Sequence, residues 1–262
     1  MKQAISMRLA LLSDIHGNPL ALDAVLKDIE SQGGVDAYWV LGDVAAIGYD
    51  PIGVIERVAA LADVRFVRGN TDRYIVTGER PLPTAAQVQQ NLQLLPVFVE
   101  IAESFAWTKG AVSVTGWLDW LASFPLEQRL TLPDSTRLLA VHAAPGTDDG
   151  DGIHAGLSDD ALRMLLYNCK ADLVCVGHTH KPLDRCIDGV RVVNLGSVSN
   201  PVAPDLRASY ALLTATTSGY QLQMRYVEYD WQAVLVAIQQ SGHTTKPYLT
   251  HIWQRHLAAG TQ

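Results

Sequence analysis

The stretch Leu9-Ala10-Leu11-Leu12-Ser13-Asp14-Ile15-His16 decides how the rest of the chain is read. An apolar run of strand length stops at an aspartate and, two residues later, a histidine, both able to ligate a metal ion. Working outward, the same design recurs four times. Tyr38–Leu41 leads into Gly42-Asp43, Val64–Val67 into Gly69-Asn70-Thr71-Asp72, Leu138–Val141 into His142, and Leu173–Val176 into Gly177-His178-Thr179-His180. In an α/β fold the carboxyl ends of neighbouring strands open on one crevice, so residues distant in sequence can meet there. The candidate ligands are Asp14, His16, Asp43, Asn70, His142, His178 and His180. They are too many for one ion and suit two.

A chain of 262 residues, 48% hydrophobic and 18% charged, is long enough for one large domain with a full core. A single domain over 1–262 is therefore expected. The formal charge of −7 argues against an extended nucleic-acid surface or an anionic-membrane surface, although two bound dications would make the site itself positive. Leu9–Ser13 is too short for a signal sequence or a membrane span, so a cytoplasmic protein is expected. The three cysteines, Cys169, Cys175 and Cys186, form no C-x-x-C pair and read as small buried hydrophobes.

The first half alternates strand and helix, the pattern of βαβ units and a largely parallel sheet. Asn18-Pro19 and Asp50-Pro51 each offer a side-chain acceptor at the N-cap and a proline at the first helical position, predicting helices over Pro19–Ser31 and Pro51–Ala62. From about 74 to 125 the strand signal stops, and Thr84–Thr108 and Val114–Ser123 read as a helical insertion. Its apolar residues, among them Leu92, Leu95, Val99, Trp107, Trp117 and Leu121, are expected to hold it to the body of the protein. Strands return at Leu138–Ala143, Leu173–Gly177, Arg191–Leu195, Ser209–Thr214 and Tyr220–Tyr229, the last two as a hairpin about Thr217-Ser218-Gly219. Helices are expected at Ser158–Cys169 and Trp231–Gln240.

Asp-x-His at a strand end points two ligands to one side of an extended segment, and His-x-His does the same from the facing side. Mixed oxygen and imidazole ligands suit manganese, iron, zinc, cobalt or nickel better than calcium, and the absence of cysteine ligands disfavours a structural zinc site.

These five motifs, in this order, resemble those of the calcineurin-like metallophosphoesterases over roughly Arg8 to Glu228. The resemblance implies a four-layer α/β/β/α sandwich, two mixed β-sheets flanked by helices. It implies one ion held by Asp14, His16, Asp43 and His180, and a second held by Asp43, Asn70, His142 and His178, with Asp43 bridging and manganese the ion favoured. The candidate catalytic set is Asp43, Asn70, His142 and His178. The implied reaction is hydrolysis of a phosphoester or phosphoanhydride, of phosphodiester or nucleotide type, by a hydroxide shared between the two ions. The segment Asn194–Pro201 with Arg207–Tyr210 is similar to a bacterial branch labelled diadenosine-tetraphosphatase-like or serine/threonine-phosphatase-like. That second label makes a phosphomonoesterase the alternative activity. A non-catalytic scaffold and a DNA nuclease are the alternatives of other classes; the complete ligand set argues against the first and the acidic charge against the second.

One position departs from the family pattern. Where many members carry histidine after the asparagine, this chain has Thr71, a hydroxyl with no useful acidity near neutral pH. Asp72 beside it is expected to orient neighbouring groups. Thr147–His154, with Asp148, Asp149, Asp151 and His154, reads as a solvated loop in which His154 is a candidate replacement acid. Thr71, His154 and Arg207 are the candidate contacts for a small phosphorylated substrate. Oligomeric state is left open.

Overall fold

The computed structural model describes residues 6–200 and 205–258; Pro201, part of the segment singled out above, lies outside them. Strand β1 (Ser6–Leu12), helix α1 (Pro19–Ser31), β2 (Ala37–Val40), α2 (Pro51–Ala59) and β3 (Val64–Phe66) form the expected alternation. Four helices follow: α3 (Asn70–Thr77), α4 (Ala85–Gln90), α5 (Leu95–Val114) and α6 (Leu118–Ala122). Next come β4 (Glu127–Thr131), β5 (Arg137–Val141), α7 (Asp159–Leu166), β6 (Leu173–Val176), β7 (Leu183–Ile187) and β8 (Val190–Asn194). The chain continues through β9 (Ala208–Thr216), β10 (Gly219–Val227), α8 (Trp231–Gln240) and α9 (Lys246–Ala258).

The strands make two five-stranded mixed sheets, ordered β10-β9-β1-β2-β3 and β4-β5-β6-β8-β7. In the first sheet β1, β2 and β3 run parallel and the β9–β10 hairpin joins them through β9, antiparallel to β1; in the second β5, β6 and β8 run parallel and the edge strands β4 and β7 are antiparallel. Strand periodicity explains the stacking. On β1, Leu9 and Leu11 point between the sheets with Trp39 and Leu41, against Leu138, Ala140, Leu173, Cys175 and Val193 of the second sheet. Ala10 and Leu12 point the other way, onto Leu22, Val25, Val54 and Ile55 of α1 and α2. On the far side, Val141, Val174 and Val192 pack beneath Leu162 and Leu166 of α7. Strands buried on both faces read as unbroken apolar runs, and each such leucine or valine contributes roughly 1.5–3 kcal/mol of burial. The result is the four-layer α/β/β/α sandwich.

Asn18 and Asp50 cap their helices as expected, accepting the Ala21 and Gly53 amides, and α1 and α8 have the expected bounds. Helix α2 stops at Ala59. The insertion is broken differently. The Thr84 helix ends at Gln90 because Asn91 is extended and its side chain caps the next turn by accepting the Gln93 amide; α5 then runs on to Val114 with Pro96 in its first turn. Trp117 and Trp120 do pack inward, Trp120 edge-on to Phe66 and Phe124 at 4.8 and 4.7 Å, whereas Leu92, Leu95 and Val99 are exposed. Helix α3 and strands β4 and β7 were not expected. Cys169 and Cys175 are buried, but Cys186 is exposed because it alternates outward on the edge strand β7. Among the described residues no helix is long and apolar enough to cross a membrane.

Candidate metal centre

The backbone leaves β1, β2 and β6 by a sharp reversal, not by continuing extended. Asp14, His16, Asp43, His178 and His180 all have positive φ, at 58, 45, 57, 68 and 58°. The expectation that Asp14 and His16 share a side of an extended segment is therefore corrected: they reach one point because a left-handed turn carries both there. Such conformations cost of order 1 kcal/mol or more per non-glycine residue and persist where the surroundings fix them. The fixing bonds cross between strand ends: Asp14 N–H donates to Gly42 C=O at 3.1 Å, His16 N–H to Asp43 C=O at 2.9 Å, and Gly177 N–H to His142 C=O at 2.9 Å. Gly42 sits at φ 86°, where a Cβ would lie 2.5 Å from the Gly69 nitrogen and 2.7 Å from His142 Nδ1. A Cβ on Gly177 would land on the Ser13 hydroxyl.

All seven candidate ligands are brought together. His180 Nε2 lies 3.2 Å from Asp14 Oδ1 and 3.1 Å from His16 Nε2. His16 Nε2 is 3.7 Å, and His142 Nε2 3.5 Å, from Asp43 Oδ2. Asn70 Oδ1 faces His142 Nε2 at 3.1 Å and His178 Nδ1 at 3.0 Å. Asp43 thus stands between the two halves of the cluster.

The four imidazoles share one device. Each is held by a main-chain carbonyl on one ring nitrogen: His16 Nδ1 by Ala46 at 3.0 Å, His142 Nδ1 by Leu41 at 2.6 Å, His178 Nε2 by Gly150 at 2.8 Å, and His180 Nδ1 by Asn200 at 3.0 Å. A carbonyl can only accept, so the bonded nitrogen carries the hydrogen. In the neutral ring the opposite nitrogen then presents a lone pair to the cluster. Lone pairs of His16 and His180 face each other, and that of His178 faces the Asn70 oxygen. Asp14 Oδ1 is buried with no hydrogen-bond partner. Such convergent acceptors need cations among them, and an oxygen and imidazole set of this kind fits divalent transition ions.

Burial alone would raise Asp14, but the imidazoles of His180 and His142 draw its carboxyl below the usual range. Burial likewise opposes a charged His142, yet the Asp43 carboxylate pushes it up to about 10. Burial holds His16 below the ordinary histidine value despite Asp43.

Beneath the ligands lies a layer of fixing bonds. Wholly buried Asp72 accepts the amides of Asp43 and Gly69 on Oδ2, both at 2.9 Å, and of Val44 on Oδ1 at 3.0 Å, which orients the Asp43 turn as expected. Ser13 Oγ donates to Asp14 Oδ2 at 2.6 Å, Ser197 Oγ donates to Asp14 C=O at 2.8 Å, and Asn194 Nδ2 donates to Gly177 C=O at 2.7 Å. The Ser197 hydroxyl and the Ser199 amide, the latter at 3.1 Å, thus brace the Asp14 carbonyl from below. Ser13 and Asn194 were missed, although both are polar residues ending apolar runs, which is the signal that found the ligands.

Of the three candidate substrate contacts, Thr71 adjoins the cluster, whereas His154 and Arg207 lie outside it. Thr71 is buried beside Asp43, its amide donating to Asp43 Oδ1 at 2.9 Å and its hydroxyl lacking a partner. His154 is half-buried, accepts the Gly156 amide on Nδ1, and lines a cavity of about 410 Å³ with Asp151, Thr179 and Lys181. Arg207 is ion-paired with Asp205 at 2.6 Å and stacked on Tyr226; it lines a separate hollow with Tyr229 and Trp231. The 147–154 segment is corrected from a solvated loop to a tethered one: Asp148 is 5% exposed and bonded to Arg68 and Arg73 at 2.7 and 3.1 Å.

Residues 7–218 match the family described as the calcineurin-like phosphoesterase superfamily domain. An uncharacterized protein of Methanocaldococcus jannaschii is 27% identical over 86% of this chain and 89% of its own length. A symmetrical bis(5'-nucleosyl)-tetraphosphatase of Shigella dysenteriae is 37% identical, but the match covers 62% of this chain and 55% of that protein. A metallophosphoesterase of Sphaerobacter thermophilus superposes with a TM-score of 0.73 at 25% identity, covering 98% of this chain and 100% of the other. Fold, motif order and family match converge: the chain belongs to the calcineurin-like phosphoesterase superfamily, hydrolases acting on phosphoester bonds.

Proposed function

We propose that this protein hydrolyses a small phosphodiester or phosphoanhydride of nucleotide type, using two divalent ions, manganese foremost. The observation that carries the reading is the set of four imidazoles whose inward nitrogens are all freed as ligands by main-chain carbonyls. Asp14, His16, Asp43 and His180 would hold one ion, and Asp43, Asn70, His142 and His178 the other. Ions bound there would supply Lewis acidity at a phosphoryl oxygen and lower the pKa of water into the neutral range.

The remaining chemistry falls to the chain's own residues. Asp43, between the two ligand groups, offsets the charge of both. His178, Thr179 and His180 are the partly exposed edge of an otherwise buried cluster, so substrate approaches from their side. The cavity beside them, with Thr179, His154 and Lys181 on its walls, offers a cation to a second phosphoryl group. Thr71 cannot supply a proton, so the leaving oxygen departs as an anion or is protonated from solvent or by His154. That favours good leaving groups, phosphoanhydrides and aryl esters, over alkyl esters. The name carried by the tetraphosphatase relatives supports the same direction, a nucleotide with phosphoanhydride bonds.

The test is metal analysis together with hydrolysis of an aryl phosphodiester, nucleotides and dinucleoside polyphosphates, with and without manganese. Two ions per chain and manganese-dependent turnover of the anhydrides are expected. At most one ion at saturation, with Asp43→Asn leaving that unchanged, would refute the two-ion reading.

A further inference from the structure

Asp149 stands outside the ligand set, yet both its carboxylate oxygens are used. Oδ1 accepts the Gly150 amide at 2.8 Å, and the carbonyl of the same Gly150 is the group that accepts His178 Nε2–H. Oδ2 accepts Tyr74 Oη–H at 2.5 Å and Arg73 Nη2–H at 2.7 Å. The Tyr74 phenol in turn faces the Asn70 side-chain amide. Thr147 completes the turn, its Oγ accepting the Asp149 amide and donating to the Asp149 carbonyl, both at 3.1 Å. Arg73 also grips the adjacent Asp148 from helix α3, and Arg68 holds that same carboxylate from the β3 end.

One carboxylate therefore reaches two ligands by two routes, through the two main-chain groups of Gly150 to His178 and through the Tyr74 phenol to Asn70. Both belong to the same half of the cluster. We propose that Asp149 is a positioning residue for the second ion's site, fixing the His178 tautomer and the Asn70 amide together, while leaving the Asp14–His16–His180 half to other supports. This rests on the two-ion reading given above.

The protonation of the pair agrees with the geometry. Burial opposes a charged Asp149, but bonds from Tyr74, Gly150 and Arg73 draw its carboxyl below the ordinary value. Burial and the same carboxylate push the Tyr74 phenol up to about 12, so it stays a donor. A phenol donating to a carboxylate is a charge-assisted bond, short and strongly directional. With Oη–H committed to Asp149, the phenolic lone pairs are what Asn70 meets. They favour the amide's NH₂ on that side and its oxygen toward His142 and His178. An outer-sphere group of this kind commonly alters metal affinity by about 10–100-fold.

The test uses the full chain with Asp149→Ala, Tyr74→Phe and, on the exposed part of the same loop, Asp151→Asn. Histidine-ring ¹⁵N spectra of the metal-free parent should show His178 as the Nε2–H tautomer, and Asp149→Ala should turn that into a mixture. In manganese titrations by calorimetry, Asp149→Ala should weaken one ion about 10–100-fold and leave the other within about twofold. Tyr74→Phe should weaken the same ion to a smaller degree and Asp151→Asn neither. The proposal is overturned by an Nδ1–H tautomer in the parent, by equal loss of both ions or of none, or by an Asp151→Asn effect as large as that of Asp149→Ala. Should Asp149→Ala fail to fold, Tyr74→Phe carries the comparison, since it deletes one oxygen and keeps the ring. A parent that takes up one ion only refutes the two-ion reading instead, and the tautomer then still judges the link to His178.

Discussion

Removing the Asp72 carboxylate is the sharpest perturbation the ligand framework offers. Three amides, those of Asp43, Val44 and Gly69, end on its two oxygens at 2.9–3.0 Å, and the side chain is wholly buried. Asp72→Ala leaves three donors without acceptors where water has no ready access. A buried orphan costs about 1–3 kcal/mol, so three at the lower end give about 3 kcal/mol. Loss of the repulsion between Asp72 and Asp43 offsets part of this, and we expect a net destabilisation of about 2–3 kcal/mol. For a domain of this size that is a fall in Tm of about 4–12 °C. Asp72→Asn keeps one acceptor oxygen but turns an NH₂ toward the remaining donors, and should lie between parent and alanine variant. The assay is denaturant unfolding of the metal-free proteins, followed by manganese titration. Asp72→Ala should also weaken metal binding, because the Asp43 turn loses its template. Equal stability and equal metal affinity in parent and Asp72→Ala would refute the argument that this carboxylate shapes the site.

Three further outcomes are expected. Across phosphodiesters of graded leaving-group pKa, the parent should depend steeply on leaving-group acidity, and Thr71→His should flatten the dependence by supplying a donor typically worth about 10²–10⁴ in rate; a flat parent profile would mean that an acid is already in place, and His154→Ala would then identify it. Asp28 is partly buried, which opposes its charge, but bonds from Arg225 and Tyr210 bring its carboxyl below 3.8. Its stabilisation is present above that value and lost as pH falls through the lower folded-state value, so Arg225→Met should cost about 1 kcal/mol at pH 7 and progressively less in acid unfolding below pH 4. Trp120, edge-on to Phe66, Phe124 and Trp117, should cost about 2–3 kcal/mol as Trp120→Ala without changing the ratio of rates on small and bulky substrates; a changed ratio would make the insertion a gate.

The candidate ligands were legible because each lies at the end of an apolar run, a contrast that the doubly buried central strands make strong. The capped helices were legible for a similar reason, since Asn18-Pro19 and Asp50-Pro51 announce themselves within two residues. What failed was legibility at the edges. Strands β4 and β7 lie at the ends of the second sheet, so Glu127-Gln128-Arg129 and Asp184-Arg185-Cys186 carry the polar faces of edge strands and read as loop. Helix α3 begins on the candidate ligand Asn70, and its first turn is spent on the site, which hides its helical period. The tethers of the 147–154 segment escaped for another reason: Arg68 and Arg73 lie about 75–80 positions upstream of Asp148, and no local pattern encodes such a pairing.

The carbonyls that hold the four imidazoles belong to Ala46, Leu41, Gly150 and Asn200, residues with no chemistry in common. Because the acceptor is main chain, exchanging these side chains does not remove it; only a change in the path of the backbone does. These bonds therefore depend on loop geometry and not on side-chain chemistry, and where a side chain is constrained the reason is a different one: Leu41 is buried between the sheets and Gly150 sits at φ 96°. A search for partners of the candidate ligands that looks only at side chains would pass over all four.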